Sequence, residues 1–133
     1  MRLWHYKLIP YLPNKMLVSQ WRECIAIKRQ WEKGTLRHPL VSYVKEYDER
    51  LFLYYVGLVV NEMIKRNIKF QIKYYSEING FCNNQILADR YAEHNKRYLK
   101  QCYYNLQEKY DRGIITKEEW DLINKNIGGE INE

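Results

Sequence analysis

The groups that could do chemistry in this chain sit at its start. They are the α-amine of Met1, the guanidinium of Arg2 beside it, and the carboxylate of Glu23 within the run Trp21-Arg22-Glu23. An α-amine has a pKa of about 7.7–8.0, well below that of lysine, so a useful fraction is uncharged at neutral pH. An uncharged amine can attack an electrophilic carbon and form a Schiff base, the covalent strategy of lysines whose pKa is lowered. Arg2 is bulky, and initiator methionine is trimmed ahead of small residues, so Met1 is expected to stay and to supply that amine. Glu23 offers the second function such chemistry needs. A carboxylate beside an iminium stabilises its charge and can take up a proton, directly or through a water.

The charge around these groups is uneven. Residues 1–46 carry nine Lys/Arg against three Asp/Glu, whereas residues 47–133 carry thirteen of each. The formal net charge of +6 is therefore a local patch, the electrostatic footprint expected for a phosphate backbone. Ser19, Arg22, Ala26 and Arg29 share one side of a helix, so Arg22 and Arg29, with small residues between them, form a face that can lie against something flat and negative. Glu23 flanks that face.

Other chemistries find little support. There is no Gly-rich phosphate loop, no H-E-x-x-H and no G-x-S-x-G. His5, His38 and His94 are scattered, so neither a metal centre nor a cofactor is expected. Cys24, Cys82 and Cys102 are odd in number and lack C-x-x-C spacing, which fits a reducing compartment. The start lacks the apolar run of a signal peptide, and Leu51–Val60 is shorter than the roughly 20 residues a bilayer span needs. A soluble, cytoplasmic protein with no membrane association is expected.

The elements that must position these groups follow from pattern. At 133 residues the chain reads as one domain over 1–133, long enough to bury a core. Residues 1–13 read as an irregular arm contributing little core, because Pro10 and Pro13 forbid a continuous helix. Asn14 is the expected cap of a helix over Lys15 to about Arg29, with Leu17, Trp21, Cys24 and Ile25 as its apolar stripe. A short helical piece is expected over Pro39–Tyr47. Asp48 then caps a central buried helix built on Phe52, Tyr55, Val56, Val59, Val60 and Met63, ended by Asn67 in the left-handed conformation.

Ile68 to Tyr74 alternates, which suggests a short strand, and Asn79-Gly80 reads as a turn. A long helix is expected from about Asp89 to Tyr110, with Tyr91, Tyr98, Leu99, Cys102 and Leu106 inward, stopped by Gly113. Thr116-x-x-Glu119 is a capping box for a final short helix with Trp120, Leu122 and Ile123. Gly128-Gly129 opens a tail, residues 127–133, expected to fray. The fold class is all-α: a single compact domain of three main helices with an irregular N-terminal arm. Thirteen tyrosines stand out, and they suit either a half-buried helical core or a flat stacking surface.

Eighteen residues separate Arg2 from Trp21-Arg22-Glu23. With an N-terminal amine directly before Arg2, this arrangement resembles the pyrimidine-dimer DNA glycosylase/AP-lyase family of the UV-damage endonuclease V type. The opening Met-Arg-Leu-Trp-His-Tyr-Lys-Leu-Ile-Pro-Tyr-Leu-Pro and the block His38-Pro39-Leu-Val-Ser-Tyr-Val resemble its bacterial branch. The likeness covers residues 1–70 well and the remainder loosely. It implies a DNA repair enzyme, an N-glycosylase with AP-lyase activity, acting without cofactor or metal on damaged double-stranded DNA as a monomer. Met1 matches the residue whose amine attacks the sugar C1′, and Glu23 matches the catalytic carboxylate. Arg2 and Arg22 match arginines that hold phosphates around the lesion; Arg29 is added from helix geometry alone.

Two departures bear on substrate more than on reaction type. The phage form of the family begins with a small residue after Met removal, and the aromatic C-terminal tail expected to touch the dimer is not recognisable here, Tyr103-Tyr104 and Trp120 being the nearest aromatics. The residue pattern by itself leaves two other classes open: a non-catalytic nucleic-acid-binding helical domain, and a helical interaction protein with an incidental charge bias. Glu23 divides them, since a pure phosphate binder has no use for an anion among arginines.

Overall fold

The computed structural model describes residues 1–81 and 90–133, with residues 79–81 by their backbone only. Among these, every regular element is helical. The α-helices are α1 (Asn14–Glu32), α2 (Glu49–Lys65), α3 (Ile72–Phe81), α4 (Lys96–Asp111) and α5 (Lys117–Ile131), with 3-10 helices at Tyr6–Tyr11 and Ser42–Glu46. The all-α class stands, with five α-helices among the described residues where three main ones were expected.

The elements with strong local signals form as their residues dictate. Asp48 accepts from the Arg50 amide at the start of α2, and Phe52, Tyr55, Val56, Val59, Val60 and Met63 are all buried along it. Asn67 ends that segment at φ 59°, and Gly113 follows α4 at φ 74°. The Thr116–Glu119 capping box opens α5. Along α1, Leu17, Trp21 and Cys24 face the core while Ile25 is only partly buried.

The departures have physical causes. The arm is not a loose tether: Leu3, Trp4, His5, Leu8, Ile9 and Leu12 are buried, and Pro10 sits inside the 3-10 turn. Asn14 does not cap α1; Pro13 holds that position, and Asn14 Oδ1 instead accepts from Arg66. The alternating run from Ile68 forms no strand. It becomes a link and then α3, with Phe70 set edge-on against Trp21 at 5.5 Å and Ile78 buried. A lone alternating run has no second strand to pair with among the described residues, and a helix satisfies its own backbone.

The Asn79-Gly80 turn is absent because the α3 backbone runs through it. The expected helix from Asp89 starts at Lys96 instead, since Asn95 caps it by accepting from the Tyr98 amide; Asp89 and Cys82 lie outside the described residues. Tyr91 is buried as expected, though from the turn ahead of α4. Tyr98 is half-buried, and Leu122 faces solvent while Trp120, Ile123, Ile127 and Ile131 form the apolar face of α5. Residues 127–131 are helix rather than a frayed tail. Gly128 is buried where α5 nears α4: a Cβ there would lie 2.3 Å from Asn124 Oδ1 and 3.4 Å from the Tyr103 hydroxyl.

Candidate active site

An arm with few backbone hydrogen bonds of its own can be buried only if side chains satisfy its polar groups. Four do so. Arg66, at the end of α2, donates to the carbonyls of Ile9, Pro10 and Leu12 while pairing with Glu62 at 2.9 Å. Tyr98 donates to the Leu3 carbonyl and Tyr55 to that of Trp4. Gln20, 1% exposed, accepts from the Trp4 amide at 2.7 Å and donates to the Arg2 carbonyl at 2.9 Å.

Beneath the arm lies a layer of polar aromatic side chains. His5 and His94 stack with ring centroids 5.5 Å apart. The Tyr6 amide donates to His94 Nδ1 at 3.3 Å, so in the neutral ring Nε2 carries the proton, 2.8 Å from the Tyr43 hydroxyl. Burial lowers the pKa of His5 to about 4 and of His94 to about 3, keeping both uncharged at neutral pH. The same burial raises Tyr43, Tyr55, Tyr98 and the Cys24 and Cys102 thiols. This layer holds the arm and does not trade protons near neutrality.

Glu23 lies on the far side of Gln20. Gln20 Nε2 donates to Glu23 Oε2 at 3.2 Å as well as to the Arg2 carbonyl, so those two oxygens stand within about 6 Å of each other. The carboxylate borders a depression of about 180 Å³ lined by Trp4, Met16, Ser19, Gln20, Glu23 and Lys109. Met1 is exposed, one residue before the Arg2 carbonyl, and no ion pair joins its amine to Glu23 among the described residues.

The arginines differ. Arg22 is exposed on α1 next to Glu23. The Arg2 guanidinium is half-buried and turned inward, over the Trp4 ring at 5.4 Å and donating to Cys102 Sγ at 3.9 Å. Arg29 is engaged by α3, paired with Glu77 at 3.3 Å and 5.3 Å above the Tyr74 ring. The structure therefore brings the Arg2 carbonyl and the Glu23 carboxylate to the Gln20 amide, sets Arg22 beside Glu23 on α1, and holds Arg29 against α3. Sequence reasoning missed Gln20, Tyr55 and Lys109. Gln20 carried a weak signal, a polar residue one turn before Glu23 at the edge of an apolar stripe. Lys109 carried none, because only the packing of α4 brings it to the depression.

A family model described as pyrimidine dimer DNA glycosylase matches residues 1–76, more than half of the 133 residues. No curated protein and no solved structure matches the chain. The matched stretch holds the arm, α1 and α2, and with them Met1, Arg2, Gln20, Arg22, Glu23, Arg29 and Tyr55; His94, Tyr98 and Lys109 lie beyond it. Every wall of the Glu23 depression except Lys109 is thus within the match, and the chain belongs to the pyrimidine dimer DNA glycosylase family, whose members are DNA-repair glycosylases and whose membership implies binding to damaged DNA.

Proposed function

We propose that the chain removes a base from a pyrimidine dimer and then cleaves the resulting abasic strand, using the Met1 amine as nucleophile and Glu23 as the working carboxylate. The amine forms a bond to the sugar C1′ as the bond from C1′ to the base breaks and the base leaves with its electron pair. The amine then gives up a proton, and the bond from C1′ to the ring oxygen O4′ breaks, with O4′ taking up a proton, to give an iminium. Glu23 stabilises that charge and, directly or through a water, takes the C2′ proton; β-elimination then breaks the bond from C3′ to its phosphate oxygen. Reaching C1′ requires a nucleotide to leave the stack, at a cost of a few kcal/mol that a damaged base lowers. Arg22 is assigned to a phosphate beside the lesion, with Arg29 further along the same helix; Arg2 joins them only once its guanidinium leaves Trp4 and Cys102.

The observation that carries this reading is the shared Gln20 amide, which links the Arg2 carbonyl, one residue beyond Met1, to the Glu23 carboxylate at the edge of an open depression. The split between two steps tests it. Glu23→Gln keeps size and hydrogen-bonding reach but loses the charge. On abasic-site duplex it is expected to leave borohydride capture in place while strand cleavage falls by about 100-fold or more. Cleavage within twofold of the unmodified protein would remove Glu23 from the mechanism.

A further inference from the structure

We infer that Gln20 is a positioning residue of this site, setting the separation and facing of the Met1 amine and the Glu23 carboxylate; the inference rests on the reading of those two groups given above. A primary amide has two acceptor positions on oxygen and two N–H donors. Gln20 uses three of them outright. Oε1 accepts from the Trp4 amide at 2.7 Å and lies 3.0 Å from the Tyr55 hydroxyl, while Nε2 donates to the Arg2 carbonyl at 2.9 Å and to Glu23 Oε2 at 3.2 Å.

The orientation is unambiguous. The Trp4 amide can only donate, so the oxygen faces it, and the nitrogen must face the Arg2 carbonyl and Glu23. An amide so bonded at 1% exposure cannot turn without leaving buried donors and acceptors unmatched. The Tyr55 hydroxyl lies behind it, and its single proton serves either the Trp4 carbonyl or Gln20 Oε1. The outcome is a fixed register. The Arg2–Leu3 peptide, one residue beyond the amine, and one carboxylate oxygen hang from a single nitrogen, and Oε2 is held in that hydrogen bond while Glu23 borders the depression. Other positions could hold the arm, as Arg66 and Tyr98 do. Gln20 alone among the described residues bonds to both the arm and Glu23.

The ionisable groups around this amide are Glu23 and Cys24 on α1, the Met1 amine and Arg2 in the arm, Tyr55 on α2 and Lys109 on α4. The test compares Gln20→Met, which keeps volume but has no strong donor, with Gln20→Glu, on abasic-site duplex DNA over pH 5 to 8. Gln20→Met is expected to lose at least tenfold in both borohydride capture and strand cleavage, with duplex affinity within about threefold. Gln20→Glu adds a pH signature that a merely structural role would not move. At the acidic end the new carboxyl holds a proton and can donate one of the amide's two hydrogen bonds, to Glu23. As pH rises that proton is lost, two carboxylates face each other, and the rate should drop at least tenfold relative to the unmodified protein.

A folded Gln20→Met protein with capture and cleavage within twofold of the unmodified chain would overturn the inference. Should that variant not fold, the Gln20→Glu profile decides alone: a ratio to the unmodified protein that does not change with pH overturns it. Failure of the underlying reading looks different, because unmodified protein would then be captured through a group other than the α-amine, whatever Gln20 does.

Discussion

The arm and the last turns of α5 meet through the Lys7–Glu130 ion pair, and different forces hold them. The arm, threaded with Pro10 and Pro13, is fastened by polar side chains of α1, α2 and α4 that bond its backbone. The end of α5 is fastened by an apolar face, Ile123, Ile127 and Ile131, with Gly128 allowing close approach to α4. The first kind of attachment is directional: it fixes where each peptide sits, as a site built on a chain terminus requires. The second fixes a helix against a core and leaves individual groups less constrained. Disturbing the arm should therefore cost chemistry as well as stability, whereas disturbing α5 should cost stability alone.

The sharpest break of that contrast is Arg66→Ala set against Ile131→Ala. Removing the Arg66 guanidinium strips donors from the Ile9, Pro10 and Leu12 carbonyls, an expected loss of about 2–4 kcal/mol. Cleavage of abasic duplex by the folded variant should fall more than tenfold as the arm loosens. Ile131→Ala opens a cavity and should cost a similar 2–4 kcal/mol by denaturant melting, yet leave cleavage per folded molecule within twofold. Equal effects of the two on cleavage would dissolve the distinction.

Acidity probes the layer under the arm. His5 and His94 have folded-state pKa values of about 4 and 3, below an unfolded value near 6.5, so the unfolded chain binds protons first as pH falls. Their contribution is complete above about pH 6.5 and is lost as pH drops toward 4 and 3, on the order of 1–2 kcal/mol for each histidine by pH 5. Melting curves between pH 7 and 5 check the slope; flat stability there would mean that the two rings take up protons in the fold as readily as in the unfolded chain.

The smallest effects belong to the exposed patch. Arg22→Ala should weaken damaged and undamaged duplex alike and reduce the salt slope by about one. Arg29→Ala should do less, because Glu77 already neutralises part of its charge and Tyr74 covers it. Binding isotherms at several salt concentrations separate the two.

How far this was legible in sequence follows the same division. The central helix, the Asp48 cap, the Asn67 and Gly113 stops and the Thr116 box all arise from neighbours in sequence, and each forms as read. Met1, Arg2 and Glu23 stand out as candidates by residue type and spacing, and the roles given to them are those of the proposal above. What was hidden depends on distant partners. Nothing in Pro10 or Pro13 announces that an arginine more than fifty residues on will satisfy the carbonyls around them. The Gly128-Gly129 pair reads as a fraying signal until the Tyr103 hydroxyl of α4, donating to Asn124 of α5, is seen to lie against Gly128. Gln20 looked like an ordinary polar helix residue, and its role exists only when Arg2, Trp4 and Tyr55 converge on it. Lys109, arriving from α4, had no mark in sequence at all.

The central claim is that the α-amine of Met1 is the nucleophile, and borohydride capture on abasic-site duplex tests it most directly. The unmodified chain should become covalently linked to the DNA, with the adduct mapping to Met1. The same chain acetylated at its α-amine, or extended by residues ahead of Met1, should give no adduct and no strand cleavage while its helical circular dichroism is retained. Capture and cleavage at full rate by the blocked chain would contradict the account and move the chemistry to a side-chain amine such as Lys7, Lys15 or Lys109.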